Sequence, residues 1–239
     1  RFSHELPDAQ NMFDLRLLTT YGWDKSQLEP ISRLPGIKEA EGVFYSDLIA
    51  QHQGGDESAV YRFYTIPEKI NRLVLLEGRM PQAPDECLAD GFHNGKEVIG
   101  KTVSITDDNS DTALDQLTQR KFTIVGLVST PLYMDTNRGN TTVGSGRITN
   151  YFFVPEEAFD VAYYTEIHAT IEGDYTAYTQ LYNDALSDAA DVIKPLLTPF
   201  AQQRLQSAKQ QAEQALLDGQ EEYRQGKGRH LSAQCRFLP

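Results

Sequence analysis

Apolar positions come in short runs over the first two thirds of the chain and settle into long helical spacing only towards its end. Phe13 to Thr19 (FDLRLLT) is short and rich in apolar residues, which predicts a strand closed by Tyr21-Gly22. Asp24 then offers a side-chain oxygen as a helix cap, Gln27 follows, and Leu28, Ile31 and Leu34 keep helical spacing until Pro35-Gly36, so a short helix is expected over 24–34. Val43, Tyr45, Leu48 and Ile49 precede the turn Gly54-Gly55-Asp56. After that turn Val60, Arg62 and Tyr64 alternate with Tyr61, Phe63 and Thr65, so the pair reads as a hairpin.

From Leu73 to Val154 the pattern changes to short apolar stretches divided by Gly, Pro, Asn and Asp: Cys87–Ala89, Thr102–Ile105, Lys121–Val128 and Tyr151–Val154. Helical periodicity is nearly absent there. The division this suggests is a β-rich subdomain, 73–154, inserted into a discontinuous α/β subdomain made of 8–72 and 155–197. After Pro155 come a helical turn at Glu156–Phe159 and an alternating strand, Glu166–Ile171 (EIHATI). Next, Tyr178, Leu181, Tyr182, Ala185, Leu186, Ala189 and Ile193 form an amphipathic helix that Pro195 and Pro199 are expected to break. The order strand, helix, two strands, insertion, strand, helix predicts an α+β fold of ferredoxin-like kind.

Phe200 to Tyr223 contains one Gly and no Pro and is dense in Gln, Ala, Leu and Glu. Leu205, Ala208, Ala212, Leu216, Gly219 and Tyr223 recur every three or four residues, a narrow apolar or small stripe suited to helix packing. At a helical rise this run spans roughly 35 Å, more than a domain of this size needs for its own core. It reads as a projecting arm over 198–225. The tail 226–239 (GKGRHLSAQCRFLP) loses the pattern and is expected to be a frayed end or an addition foreign to the natural chain.

Composition narrows the function. The 239 residues carry 22 Lys and Arg against 34 Asp and Glu, a formal net charge of −12, with no basic stripe. That excludes a nucleic-acid surface and docking on anionic lipid through the bulk of the molecule. Cys87 and Cys235 are far apart and belong to no metal-ligand spacing, and the histidines at 4, 52, 93, 168 and 230 show no paired spacing. Gly144-Ser145-Gly146 lacks the nucleophile-elbow pattern and no phosphate-cradling GxxxxGK[ST] loop exists. No catalytic, cofactor or metal residue is therefore assigned. Asp107, Asn109 and Asp111 copy the opening of a calcium loop, but Thr112 and Thr118 occupy the positions that need Gly and Glu, so a solvated loop suffices. Asp135, Asn137, Arg138, Gly139, Asn140 and Gly144 read as a flexible exposed loop, His168 as a hydrogen-bonded strand residue, and Tyr151, Phe152, Phe153, Tyr163 and Tyr164 as core aromatics. No apolar run reaches the ~20 residues of a membrane span, and RFSHELPDAQ lacks the sections of a signal peptide. A membrane-protein parent would thus be represented by an excised part.

Six segments in order carry a resemblance over 8–225: FDLRLLTTYGW, LPGIKEAEGVFYSDL, LLEGRMPQAPDECLAD, IGKTVSI, KFTIVGLVSTPLYM and YFFVPEEAF. Together they resemble the extracellular domain between the first two transmembrane helices of FtsX/MacB-like ABC transporter permeases. The resemblance implies a porter part from the two ends and a β-rich insert, on the outer face of the cell membrane. It further implies partnership with a cytoplasmic ATP-binding subunit through a transmembrane part and action on an extracytoplasmic substrate or partner protein. Some Gram-positive members carry a coiled-coil insertion, and Phe200–Tyr223 looks like its first arm. A secreted or surface-anchored binding module without a transport role remains the alternative.

Overall fold

The computed structural model describes residues 10–53, 58–133 and 137–234; the turn at Gly54-Gly55-Asp56, His4, Asp135 and Cys235 lie outside them. Among the described residues ten strands and three α-helices follow in order: β1 (Leu15–Asp24), α1 (Leu28–Ser32), β2 (Ile37–Val43), β3 (Tyr45–His52), β4 (Ala59–Thr65), β5 (Val74–Gly78), β6 (Glu86–Asp90), β7 (Thr102–Ile105), α2 (Asp111–Leu114), β8 (Lys121–Ser129), β9 (Asn150–Val154), β10 (Tyr163–Ile171) and α3 (Gln180–Gln234). The architecture is mixed α and β with one long C-terminal helix.

One sheet is three-stranded and antiparallel, in the order β1-β10-β2. A ferredoxin-like sheet has four strands, so among the described residues that detail of the expectation is not confirmed. Ile167, Ala169 and Ile171 of β10 alternate towards a core completed by Leu17, Trp23, Ile31, Ile37, Ala189 and Ile193, which seats α1 and the first half of α3 on one face. β1 runs past its expected stop at Tyr21-Gly22. Gly22 takes φ +73° where the β1–β10 register shifts between Leu18 and Trp23, and a Cβ there would come within 2.5 Å of the Tyr164 carbonyl oxygen. The glycine therefore makes a bulge in the strand instead of ending it.

The other seven strands run β5-β8-β6-β9-β4-β3-β7, and β7 also pairs with β8. That extra pairing closes six of them into a barrel, with β5 sharing the β7 edge of β8 further along. Leu48, Phe63, Cys87, Val103, Phe122, Ile124 and Phe152 fill its interior. β3 and β4 belong to this barrel by their pairings with β7 and β9. In their strand ladders 45–65 therefore pairs within the barrel and not with β1, β2 or β10. β5 was also not legible, because its five residues are all exposed and show no alternation.

α3 corrects two further expectations. It continues through Pro195 and Pro199, and it extends past Gly226 to Gln234 in place of a frayed tail; 235–239 lie outside the described residues. Both prolines are exposed, while Ile193, Leu197 and Phe200 pack against the core. A proline inside a helix costs about 3 kcal/mol, and each well-buried large apolar side chain returns about 1.5–3 kcal/mol. Packing on both sides of the prolines thus holds the helix together.

Candidate functional site

The chain passes from sheet to barrel through one residue, Phe44, between β2 and β3. Phe44 is 3% exposed, and its ring meets Phe159 edge-on at 4.6 Å and Tyr163 at 5.6 Å. Around it Thr65 N–H donates to Phe44 O at 3.0 Å, Tyr45 N–H to Thr165 Oγ1 at 3.1 Å, and Thr165 Oγ1 to Val43 O at 2.8 Å. On the same side the Glu41 carboxylate accepts the N–H groups of Glu68 and Ile70, each at 2.7 Å. The junction is a buried, hydrogen-bonded knuckle and not a loose linker.

The second face of β10 is polar yet buried, since Glu166 and His168 are 2% and 1% exposed. Asn71 Oδ1 accepts the Phe13 N–H at 3.1 Å, so its Nδ2 donates to His168 Nδ1 at 2.8 Å and the ring proton sits on Nε2, facing Glu166 Oε1 at 2.8 Å. Arg16 Nε donates to Glu166 Oε2 at 2.6 Å. Burial alone would raise the Glu166 carboxyl, but the hydrogen bonds from His168 and Arg16, with the charge on Arg16, outweigh it and hold the group below the usual carboxylate range. His168 is therefore the hydrogen-bonded strand residue its sequence position indicates. Its partner Asn71, 97 positions away, and the Arg16 that meets Glu166 from 150 positions away are not legible there.

The root of the arm is clamped to the three-stranded sheet. Arg204, 5% exposed, donates through Nε to Tyr21 O at 3.0 Å and stacks over the Tyr163 ring at 4.5 Å. Gln27 Nε2 donates to Phe200 O at 3.0 Å, Ser207 Oγ to Asp24 Oδ2 at 3.0 Å, and Tyr182 OH to Asp14 Oδ1 at 2.7 Å. Burial and the Asp14 carboxylate push the Tyr182 hydroxyl up to about 12. Of the stripe, Leu205 and Ala208 are half-buried near this root, whereas Ala212, Leu216, Gly219 and Tyr223 are exposed on the arm. Leu217, 58% exposed beside Leu216, widens the stripe beyond the sequence reading.

Another set of residues escaped the sequence entirely. The stretch expected to be a flexible exposed loop carries Arg138, which is 3% exposed and donates to Asp90 Oδ2 from Nη2 at 2.5 Å and from Nε at 3.1 Å. Tyr151 OH donates to Asp90 Oδ1 at 2.9 Å, and burial followed by that carboxylate pushes the phenol up. His93 Nδ1 lies 2.9 Å from Asp90 Oδ2. Arg62 forks onto Asp47 at 2.6 and 2.8 Å and lies 4.2 Å over the Tyr45 ring. Asn109, read as a calcium-loop position, instead accepts the Ile49 N–H and donates to the Ile49 carbonyl, each at 2.8 Å. Among the described residues no group of His, Cys, Asp and Glu is placed to hold a metal ion, and no described helix is long and apolar enough to cross a membrane.

No protein-family model and no curated protein matches the sequence. Among solved structures the chain is similar to extracellular and periplasmic domains of ABC-type transporters. The extracellular domain of the noncanonical ABC-type transporter YknZ from Gram-positive bacteria is 12% identical, with 76% of this chain and 85% of that one covered and a TM-score of 0.45. The periplasmic region of MacB from Actinobacillus actinomycetemcomitans is 15% identical, with 81% and 89% covered and a TM-score of 0.45. A domain of a putative permease protein from Porphyromonas gingivalis is 12% identical, with 72% and 71% covered and a TM-score of 0.39.

Proposed function

We propose that the chain is the extracytoplasmic domain of an FtsX/MacB-like ABC transporter permease, and that α3 acts as a lever between a membrane-tethered base and an outer substrate or partner. One observation carries the reading: α3 is continuous from its clamped root at Tyr182–Arg204 to the exposed arm beyond Ala208. A stiff helix transmits displacement that a flexible linker would absorb. The buried knuckle at Phe44 serves the same end, because it couples the barrel to the sheet on which the lever sits. The six ordered sequence segments support the family, and in this reading ATP is hydrolysed on the cytoplasmic side by an ATP-binding subunit.

In this reading 10–43 and 163–207 form the porter part, 45–154 the β-rich insert, and 208–225 the first arm of a coiled coil. Leu205, Ala208, Ala212, Leu216, Gly219 and Tyr223 are its packing stripe. The test is the Ala208→Gly/Ala212→Gly pair in the intact transporter, each glycine weakening the helix by about 1 kcal/mol. We expect normal expression with ATP hydrolysis uncoupled from the transporter-dependent phenotype. Coupling that survives this pair sinks the lever and favours a binding module.

A further inference from the structure

A cavity of about 330 Å³ opens where the polar face of β10 meets the barrel, and its wall brings together Arg16, Arg62, Arg138, Glu166, Tyr64 and Tyr133. Three guanidiniums converging on one cavity run against the composition of a chain with 34 acidic and 22 basic residues. Each is held by a carboxylate: Arg16 by Glu166, Arg62 by Asp47 and Arg138 by Asp90. Asp47 and Asp90 do not line the cavity, so its wall carries three arginines with Glu166 as the one carboxylate among its described residues. The oxygens of Glu166 already face Arg16 and His168. The hydroxyls of Tyr64 and Tyr133 lie 2.8 Å apart beside this surface.

Stability does not account for the arrangement. Buried ion pairs seldom outdo well-packed apolar residues, because both charges must leave water. The Arg138–Asp90 pair is nonetheless buried, with side chains 1% and 0% exposed, and the Arg62–Asp47 side chains are only 13% and 12% exposed. Held guanidiniums are pre-ordered receptors for planar or tetrahedral oxyanions, since their N–H forks match carboxylate and phosphate oxygens. The remaining wall includes Phe13 and Leu132, an apolar surface next to the charged one. The volume falls at the lower end of the range for small-molecule sites.

We propose that this pocket binds an oxyanion group, carboxylate or phosphate, carried by a small organic molecule whose apolar part lies against Phe13 and Leu132. The site is independent of the lever and stands or falls separately from it. The test is an NMR titration of the purified 239-residue chain with inorganic phosphate, phenyl phosphate and benzoate, following the Arg side-chain Nε–H signals. We expect saturable shifts at Arg16 and Arg62, with an aryl probe binding more tightly than inorganic phosphate; the tighter of phenyl phosphate and benzoate identifies the preferred oxyanion. The Asp47→Asn/Arg62→Gln variant removes a charge pair together and leaves no unmatched carboxylate. It should weaken binding about tenfold or more, the scale of losing a hydrogen bond to a charged group, with the backbone spectrum unchanged. Arg16→Lys, which keeps the charge but loses the fork, should weaken it in the same direction and serves if the pair variant does not fold. Shifts that stay linear with probe, saturable shifts confined to residues outside the pocket, or equal affinity in a folded variant would overturn the proposal.

Discussion

Glu166 is a carboxylate taken out of water and answered at both oxygens by Arg16 and His168. Its folded-state value lies below the ordinary one of 4.5. A depressed carboxyl contributes stability that is fully present above its unfolded value and is lost as pH falls through the folded one. Urea unfolding should therefore show stability declining below about pH 4.5, and Glu166→Gln should flatten that part of the profile while lowering stability at neutral pH. A variant profile parallel to the parent's would refute this assignment. The same residue shows where legibility ends. That 166–171 is a strand follows from alternation, but that Glu166 meets an arginine 150 positions away does not.

For the element scale, α3 shows a local rule overridden by packing. Pro195 and Pro199 each remove a helix hydrogen bond, yet both point to solvent while Ile193, Leu197 and Phe200 face the sheet. Replacing either by Ala restores a donor and disturbs no core contact. Each of Pro195→Ala and Pro199→Ala should raise stability by about 1–3 kcal/mol, the helix penalty less the ordering that proline imposes on the unfolded chain. A fall in denaturation midpoint for both would mean that a bend at the prolines is needed for docking. Spacing correctly marked the amphipathic helix before them and the striped one after them, but it could not show the two to be one rod.

Across the whole molecule, the rod divides into an anchored and an unanchored part. Every residue from Lys209 to Gln220 is exposed, whereas Ala189, Ile193 and Arg204 are buried. A chain ending at Gln211 should match the full chain in urea stability to within about 1 kcal/mol, because exposed positions away from a core contribute little. Ending it at Lys194 removes Leu197, Phe200 and Arg204 and should cost on the order of 3 kcal/mol or more. Hydrogen exchange should follow the same divide, fast in 212–224 and slow in 186–204. Equal protection along the helix would show that the arm is covered in solution.

What the sequence by itself determined were the elements whose signal is local: most strands, the polar arm with its stripe, the lack of catalytic spacing, and the ordered segments of the family resemblance. Periodicity, caps and turns act within a few residues, so they are written into adjacent positions. Only the tertiary structure decided that β3 and β4 join the barrel, that β7 closes it against β8, that α3 survives its prolines, and that three arginines meet around one cavity. Each of these depends on partners tens to more than a hundred positions apart, whose pairing is selected by burial and charge once the chain is folded.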